Sequence, residues 1–125
     1  MTTRQAATFG RVYDEPAGDG GARVLVDRLW PRGMTKQRAQ LDEWCSSVAP
    51  STPLRTWYHH DPERFAEFGD RYRLELREPE QAEALAHLRE LAKAGPLTLL
   101  TASRHPEISE AAVLVELLCE KGSAN

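Results

Sequence analysis

Long apolar runs are missing from this chain: no stretch approaches the roughly 20 residues that a membrane-spanning helix requires, so a helical membrane protein is excluded. Cysteine is scarce. Cys45 and Cys119 lie far apart, outside any Cys-x-x-Cys spacing, and two thiols are too few for a disulfide framework. Both read as packed thiols. Lysine is almost absent, with arginine supplying thirteen of the sixteen basic residues. With a net charge of −3 and a pI near 5.8, the chain lacks the cationic excess on which broad nucleic-acid binding depends. The arginine bias fits planar, bidentate oxyanion binding, with a GC-rich coding bias the simpler reading. The first ten residues have neither the apolar core nor the small-residue cleavage site of a secretory signal, so a cytoplasmic location is the expectation.

What is present suits one α/β domain over residues 1–125. A chain of 125 residues can bury about 65 to 70% of its unfolded surface in a single core, and 41% hydrophobic with 28% charged residues is ordinary for a globular protein. Ala7 to Tyr13 predicts a first strand, and the Gly- and Pro-rich run from Asp14 to Gly21 a turn or loop. Arg23 to Trp30, apolar on both faces, predicts a buried central strand that Pro31 ends. Thr35 predicts the cap of a short helix to Gln40; Leu41 to Ala49 fits helix and strand spacing alike, a short strand being preferred. Ser51-Thr52-Pro53 and Asp61-Pro62 are two helix starts, the second running to about Arg77 with Phe65, Phe68, Tyr72 and Leu76 in one stripe. Pro79 opens a helix that Gly95-Pro96 stops. Leu97 to Thr101 predicts a buried parallel strand, and Pro106 to Lys121 a closing helix that Gly122 ends. The expectation is a small, mostly parallel central sheet flanked by helices. Helices carrying Leu85 or Val113 could supply a homo-oligomer interface.

The two core strands end in polar clusters, and open parallel sheets place ligands beyond the carboxyl ends of their strands. Arg28, Trp30, Arg32 and Gly33 follow the first; Thr101, Ser103, Arg104 and His105 follow the second. If the strands are parallel neighbours, guanidinium groups, hydroxyls and the free N–H groups starting the Pro106 helix would meet in one crevice suited to an anion. A charge within an apolar strand needs a partner or a wet cleft, which singles out Asp27 and Arg28. In a strand their side chains point to opposite faces, so each needs its own partner. Asp27 reads as an anchor for loop N–H groups, as a general base, or as the residue that orients Arg104. Thr101 and Ser103 are the candidate nucleophiles, without a Gly-x-Ser-x-Gly elbow or an identifiable base. Trp30, Trp44 and Trp57 could wall a pocket, with core filling the simpler reading. His59 and His60, adjacent and without His-x-x-x-His spacing, make a weak metal or haem motif. A surface or supporting role is preferred, although His60 could hydrogen-bond a ligand or Tyr72.

Arg23 to Gly33 (Arg-Val-Leu-Val-Asp-Arg-Leu-Trp-Pro-Arg-Gly), Leu41-Asp42-Glu43-Trp44, Ala49-Pro50-Ser51-Thr52 and His60-Asp61-Pro62-Glu63-Arg64-Phe65 together resemble the YeaO-like branch of the bacterial proteins grouped as domain of unknown function 488. Tyr72, Glu75-Leu76 and the Thr-Leu-Leu strand extend the likeness over nearly the whole chain. The resemblance implies a small cytoplasmic α/β domain and site positions, but no agreed activity, substrate or cofactor. More distant relatives carry a cysteine where this chain has Thr101, and relatives nearer this branch an aromatic residue before a more acidic loop. Cysteine-based covalent chemistry is thereby excluded for Thr101. The leading expectation is a protein that binds a small phosphate- or carboxylate-bearing ligand through Arg28, Arg32, Arg104 and Trp30, with hydrolase or transferase as the reaction classes open to it. The rivals are a metal- or haem-binding protein using His60, and a regulatory nucleic-acid-binding module using Arg64, Arg71, Arg73 and Arg77.

Overall fold

In the computed structural model, which describes residues 7–14 and 21–119, four parallel strands form one sheet in the order β1-β4-β2-β3. The strands are β1 (Ala7–Arg11), β2 (Ala22–Leu25), β3 (Glu43–Trp44) and β4 (Leu97–Thr101). Five α-helices accompany them: α1 (Lys36–Ala39), α2 (Thr52–Tyr58), α3 (Phe65–Glu75), α4 (Pro79–Ala94) and α5 (Glu110–Cys119). The architecture is α/β. Among the described residues no helix is long and apolar enough to cross a membrane.

Both faces of the central strands are covered, which is why β2 and β4 read as continuous apolar runs. Val24 and Leu99 point into the larger core, with Leu88, Leu114 and Tyr72; their chain neighbours Leu25 and Leu100 point the other way, into a smaller cluster with Val12, Met34 and Ala39. Leu85 and Val113 belong to the larger core, so these two side chains are buried within the chain itself.

β2 is shorter than its sequence pattern predicts, ending at Leu25 rather than Trp30. Val26 still donates to the Leu100 carbonyl at 3.0 Å, but the Asp27 carboxylate then takes the next N–H beyond β4, that of Ala102, at 2.8 Å. The Asp27 carbonyl accepts from Trp44 Nε1 at 2.8 Å, so the ladder closes on side chains and residues 27–34 leave the sheet as a loop. Asp27 and Arg28 are therefore loop residues, and strand alternation does not govern them. Pro31 lies well beyond the strand end and begins a turn in which Gly33 holds φ 75°. The ambiguous 41–49 segment splits into β3 and a 3-10 turn at Ser46–Val48.

The predicted caps at Thr35 and Ser51 are present, their hydroxyl oxygens accepting from Arg38 and Leu54 N–H. The Asp61 and Pro106 starts each open a 3-10 turn, Pro62–Arg64 and Pro106–Ile108, before the α-helix begins. Ser109, extended at ψ 175°, separates the second turn from α5. The loop expected over 14–21 and the helix end at Lys121-Gly122 fall largely outside the described residues.

One glycine is dictated by a close approach. Gly21 has φ 68°, and a Cβ there would stand 2.2 Å from the Pro96 carbonyl oxygen, to which Ala22 N–H donates at 3.1 Å. Gly21→Ala should therefore destabilise the fold by more than about 1 kcal/mol, through both the left-handed backbone and the clash where β2 meets β4. Urea denaturation checks this; an unchanged midpoint would show that this junction relaxes freely.

Candidate functional site

Direct parallel pairing of β2 with β4 brings their downstream loops together over a cavity of about 400 Å³. Its lining includes Asp27, Arg28, Trp30, Arg32, His60, Thr101 and Ser103, so Arg32 and Ser103 share one hollow. Four other expected site positions lie elsewhere or play other parts. Arg104 is exposed and outside the lining. Gly33 shapes the turn that presents Arg32. Tyr72 is wholly buried in the core, where its hydroxyl donates to the Val48 carbonyl at 2.6 Å, so it neither faces the cavity nor meets His60. His59 caps the end of α2 in the left-handed region, at φ 50°. His60 follows it with φ 54°, a strained pair of non-glycine residues that turns the chain at the cavity wall.

Sequence reasoning missed Tyr13, Arg55, Tyr58 and Glu110, all of which line the cavity. Tyr13 donates to the Arg32 carbonyl at 2.9 Å, and Arg11 Nε to the Ser103 carbonyl at 3.1 Å, so the end of β1 ties down both loops. Arg55 is placed by α2, whose first turn is fixed to α3: the Glu75 carboxylate accepts from both Ser51 N–H and the Ser51 hydroxyl. Tyr58 stacks on Phe68 with ring centroids 4.2 Å apart and donates to the Ile108 carbonyl at 2.6 Å. Burial, with the charges of Asp61 and Glu110 nearby, pushes its phenol up to about 12, so it remains a neutral donor. Trp30 donates to the Met34 carbonyl at 2.7 Å and meets Trp44 edge-on, whereas Trp57 lies away from the cavity under Arg64 and Arg71.

The acid end of the cavity is a pair of carboxyl groups. Asp27 Oδ2 accepts from Ala102 N–H, while its buried Oδ1 finds no donor N–H or hydroxyl among the described residues. Glu110, at the first position of α5, lines the same cavity, and Asp27 is the group that, after burial, most raises its proton affinity. Two carboxylates cannot share a hydrogen bond without a proton between them. Burial, then the bond to Asp27 and its charge, hold Glu110 well above its ordinary value of 4.5, against the weaker opposing pull of Arg55. Glu110 as a whole residue is partly exposed. A protonated Glu110 donating to Asp27 Oδ1 accounts for the otherwise orphaned oxygen.

Two sequence expectations change as a result. Asp27 holds the Ala102 loop and Glu110, not Arg104. The N–H groups at the start of the last helix are not free for an anion, because the Ser109 hydroxyl accepts from Ala111 and the Ser109 carbonyl from Ala112 and Val113. The candidate nucleophiles are likewise engaged: the Thr101 hydroxyl oxygen accepts from Ser103 N–H at 3.2 Å, and the Ser103 hydroxyl oxygen from His105 N–H at 3.1 Å. Cys45 is buried, with its thiol pushed up by burial, and Cys119 Sγ lies 3.9 Å from the Ala7 carbonyl oxygen.

The profile of the family DUF488-N3i, described as the inactive DUF488-N3 subclade, matches residues 6–125. The chain is 51% identical over 118 residues to an uncharacterized protein of Mycobacterium tuberculosis and to one of Mycobacterium bovis, a match covering 94% of this chain and 98% of each relative. It is 42% identical over 108 residues to the uncharacterized protein YeaO of Escherichia coli, covering 86% of this chain and 92% of that relative. No solved structure matches it significantly.

The acid pair makes stability depend on pH in a definite sense. A carboxyl that binds its proton more tightly in the fold than in the unfolded chain stabilises fully below 4.5 and loses that contribution as pH rises through the folded value. The Glu110 contribution should therefore fall with rising pH by up to about 1.4 kcal/mol per unit across that window. Glu110→Gln, which keeps a donor for Asp27 without a titrating proton, should flatten this slope and be the more stable protein at pH 7. Denaturant midpoints measured from pH 5 to pH 8 read it, and parallel profiles for the two proteins would contradict the shared proton.

Proposed function

The chain belongs to the DUF488-N3i family, the inactive DUF488-N3 subclade, and from that premise we propose that its cavity binds a small phosphate- or carboxylate-bearing ligand without transforming it. The observation that carries this reading is the convergence of three guanidinium groups. Arg28 and Arg32 come from the loop after β2 and Arg55 from α2, all three line the same cavity, and none has a carboxylate within ion-pair distance among the described residues. Arg28 is held by the Pro50 carbonyl at 3.3 Å, which leaves further donors to offer. Exposed guanidinium groups gathered on one hollow repel one another, and a bound oxyanion relieves that repulsion through paired N–H···O bonds.

Binding is favoured over hydrolysis or group transfer because the hydroxyls of Thr101 and Ser103 hold loop N–H groups and neither is hydrogen-bonded to an imidazole or amine side chain among the described residues. The family's description as inactive points the same way. Two free thiols fit a reducing compartment, which supports a cytoplasmic site of action. The rival readings have less support. Arg64, Arg71 and Arg73 pair with Asp61, Glu67 and Glu116, so three of the four arginines proposed to meet nucleic acid are already compensated. His60 stands near no group of three or more His, Cys, Asp or Glu side chains arranged to hold a metal among the described residues.

Inorganic phosphate should raise the unfolding temperature of the wild-type chain. Arg32→Ala or Arg55→Ala should weaken that effect about tenfold in phosphate concentration, each loss costing a charge-assisted hydrogen bond, whereas Arg104→Ala should leave it unchanged. Equal phosphate responses in all four proteins would remove the arginine cluster from ligand binding.

A further inference from the structure

We propose that the cavity takes an anion carried on an apolar ring, an aryl phosphate or aryl carboxylate, with the ring packed on the segment Leu29-Trp30-Pro31, in preference to an anion carried on a polyol. This inference rests on the anion-binding reading above and names the rest of the ligand. The first observation is size. At about 400 Å³ the cavity falls within the range of about 300 to 1,000 Å³ common for sites that hold whole organic molecules. A water takes about 30 Å³ of liquid volume, and a five-atom oxyanion only a few times that. An oxyanion on the arginines therefore leaves most of the hollow to be filled by the body that carries it.

The second observation is the chemistry of the wall beside those arginines. Between Arg28 and Arg32 the same loop carries Leu29, Trp30 and Pro31, and all five residues line the cavity, so a group held by the two cations lies next to an apolar segment. Leu29 is 66% exposed, although an aliphatic side chain of that size gains by leaving water. Of the large exposed apolar side chains among the described residues, Leu29 alone lines this cavity. Trp30 is already fixed, by its bond to the Met34 carbonyl and its edge-on contact with Trp44, so a ligand need not order it. The stacked rings of Tyr58 and Phe68 add a second aromatic surface to the lining.

The third observation concerns the hydroxyls, which are what a polyol would seek. Tyr13, Tyr58, Thr101, Ser103 and Ser109 all line the cavity, and each hydroxyl already makes a hydrogen bond within the chain. A polyol would compete with those bonds or leave its own hydroxyls poorly paired as they lose water, whereas a ring asks for no partner. Guanidinium groups for the charge and apolar surface for the body are the features this wall offers most freely.

The test is calorimetry on the full chain with phenyl phosphate, glycerol 3-phosphate and inorganic phosphate. Phenyl phosphate should bind about tenfold more tightly than glycerol 3-phosphate, with the more negative heat-capacity change that burial of a ring produces. Leu29→Asn alters an exposed side chain, and its fold is checked by circular dichroism; it should bring the ratio of the two affinities close to one. Equal affinities in the wild-type chain, or a phenyl preference that Leu29→Asn leaves whole, would overturn the ring site on this loop. If the two esters bind equally, the anion reading stands without the ring; if none of the three phosphates binds, both readings fall.

Discussion

The carboxylate of Asp27 decides where the sheet stops and the cavity begins. By taking the Ala102 N–H it substitutes a side chain for the next rung between β2 and β4, which frees residues 27–34 to turn away and carry Arg28, Trp30 and Arg32 to the mouth of the hollow. Its side chain shares the cavity lining with Glu110 at the start of α5, and its second oxygen is buried without an N–H or hydroxyl donor among the described residues. Removing one partner of such a contact leaves a buried charge or a buried acceptor unpaired, which costs several times what the intact bond contributes. The Asp27 contacts are therefore structural, and its charge beside Glu110 is, after burial, a main reason that Glu110 binds its proton more tightly than usual.

The arginines are held by different means. Arg55 depends on Glu75 clamping Ser51, a link between α2 and α3, and Arg32 on Tyr13 gripping its carbonyl from the end of β1. Their guanidinium groups stay uncommitted while their backbones are fixed. The arginines of α3 are arranged the opposite way, their charges spent on Glu67 and Glu116 or lying over Trp57. Some of the arginines are thus spent on solvated ion pairs, others such as Arg11 and Arg23 on backbone carbonyls, and Arg28, Arg32 and Arg55 gather positive charge next to the cavity.

Local chemistry made much of the fold legible. Leu97 to Thr101 is an apolar run too short for a helix, Ser51 precedes a proline at a helix start, and Pro79 and Gly95 bracket α4; each signal acts within a few residues, and each element appears where its signal stands. The joint position of Arg32 and Ser103 followed from the general placement of loops beyond parallel strands. What escaped was non-local. The end of β2 is set by a side chain reaching Ala102, far along the chain, so Val26 to Trp30 still looks like strand. Glu110 after Ser109 reads as an ordinary acidic first turn, and only the tertiary fold sets it against Asp27. Tyr72 looked available to a ligand because nothing in its helical stripe tells a core aromatic from one lining a pocket, and Arg55 was hidden as the single charge in α2, with no motif around it.

Infrared difference spectroscopy reads the shared proton without relying on any ligand. At pH 7 the wild-type chain should show the carbonyl stretch of a protonated, hydrogen-bonded carboxylic acid, shifting on exchange into deuterium oxide, and Glu110→Gln should lack it. A wild-type spectrum at pH 7 with carboxylate bands alone would mean that both acids are ionised, and would contradict the account of Asp27 and Glu110 on which the cavity's design rests.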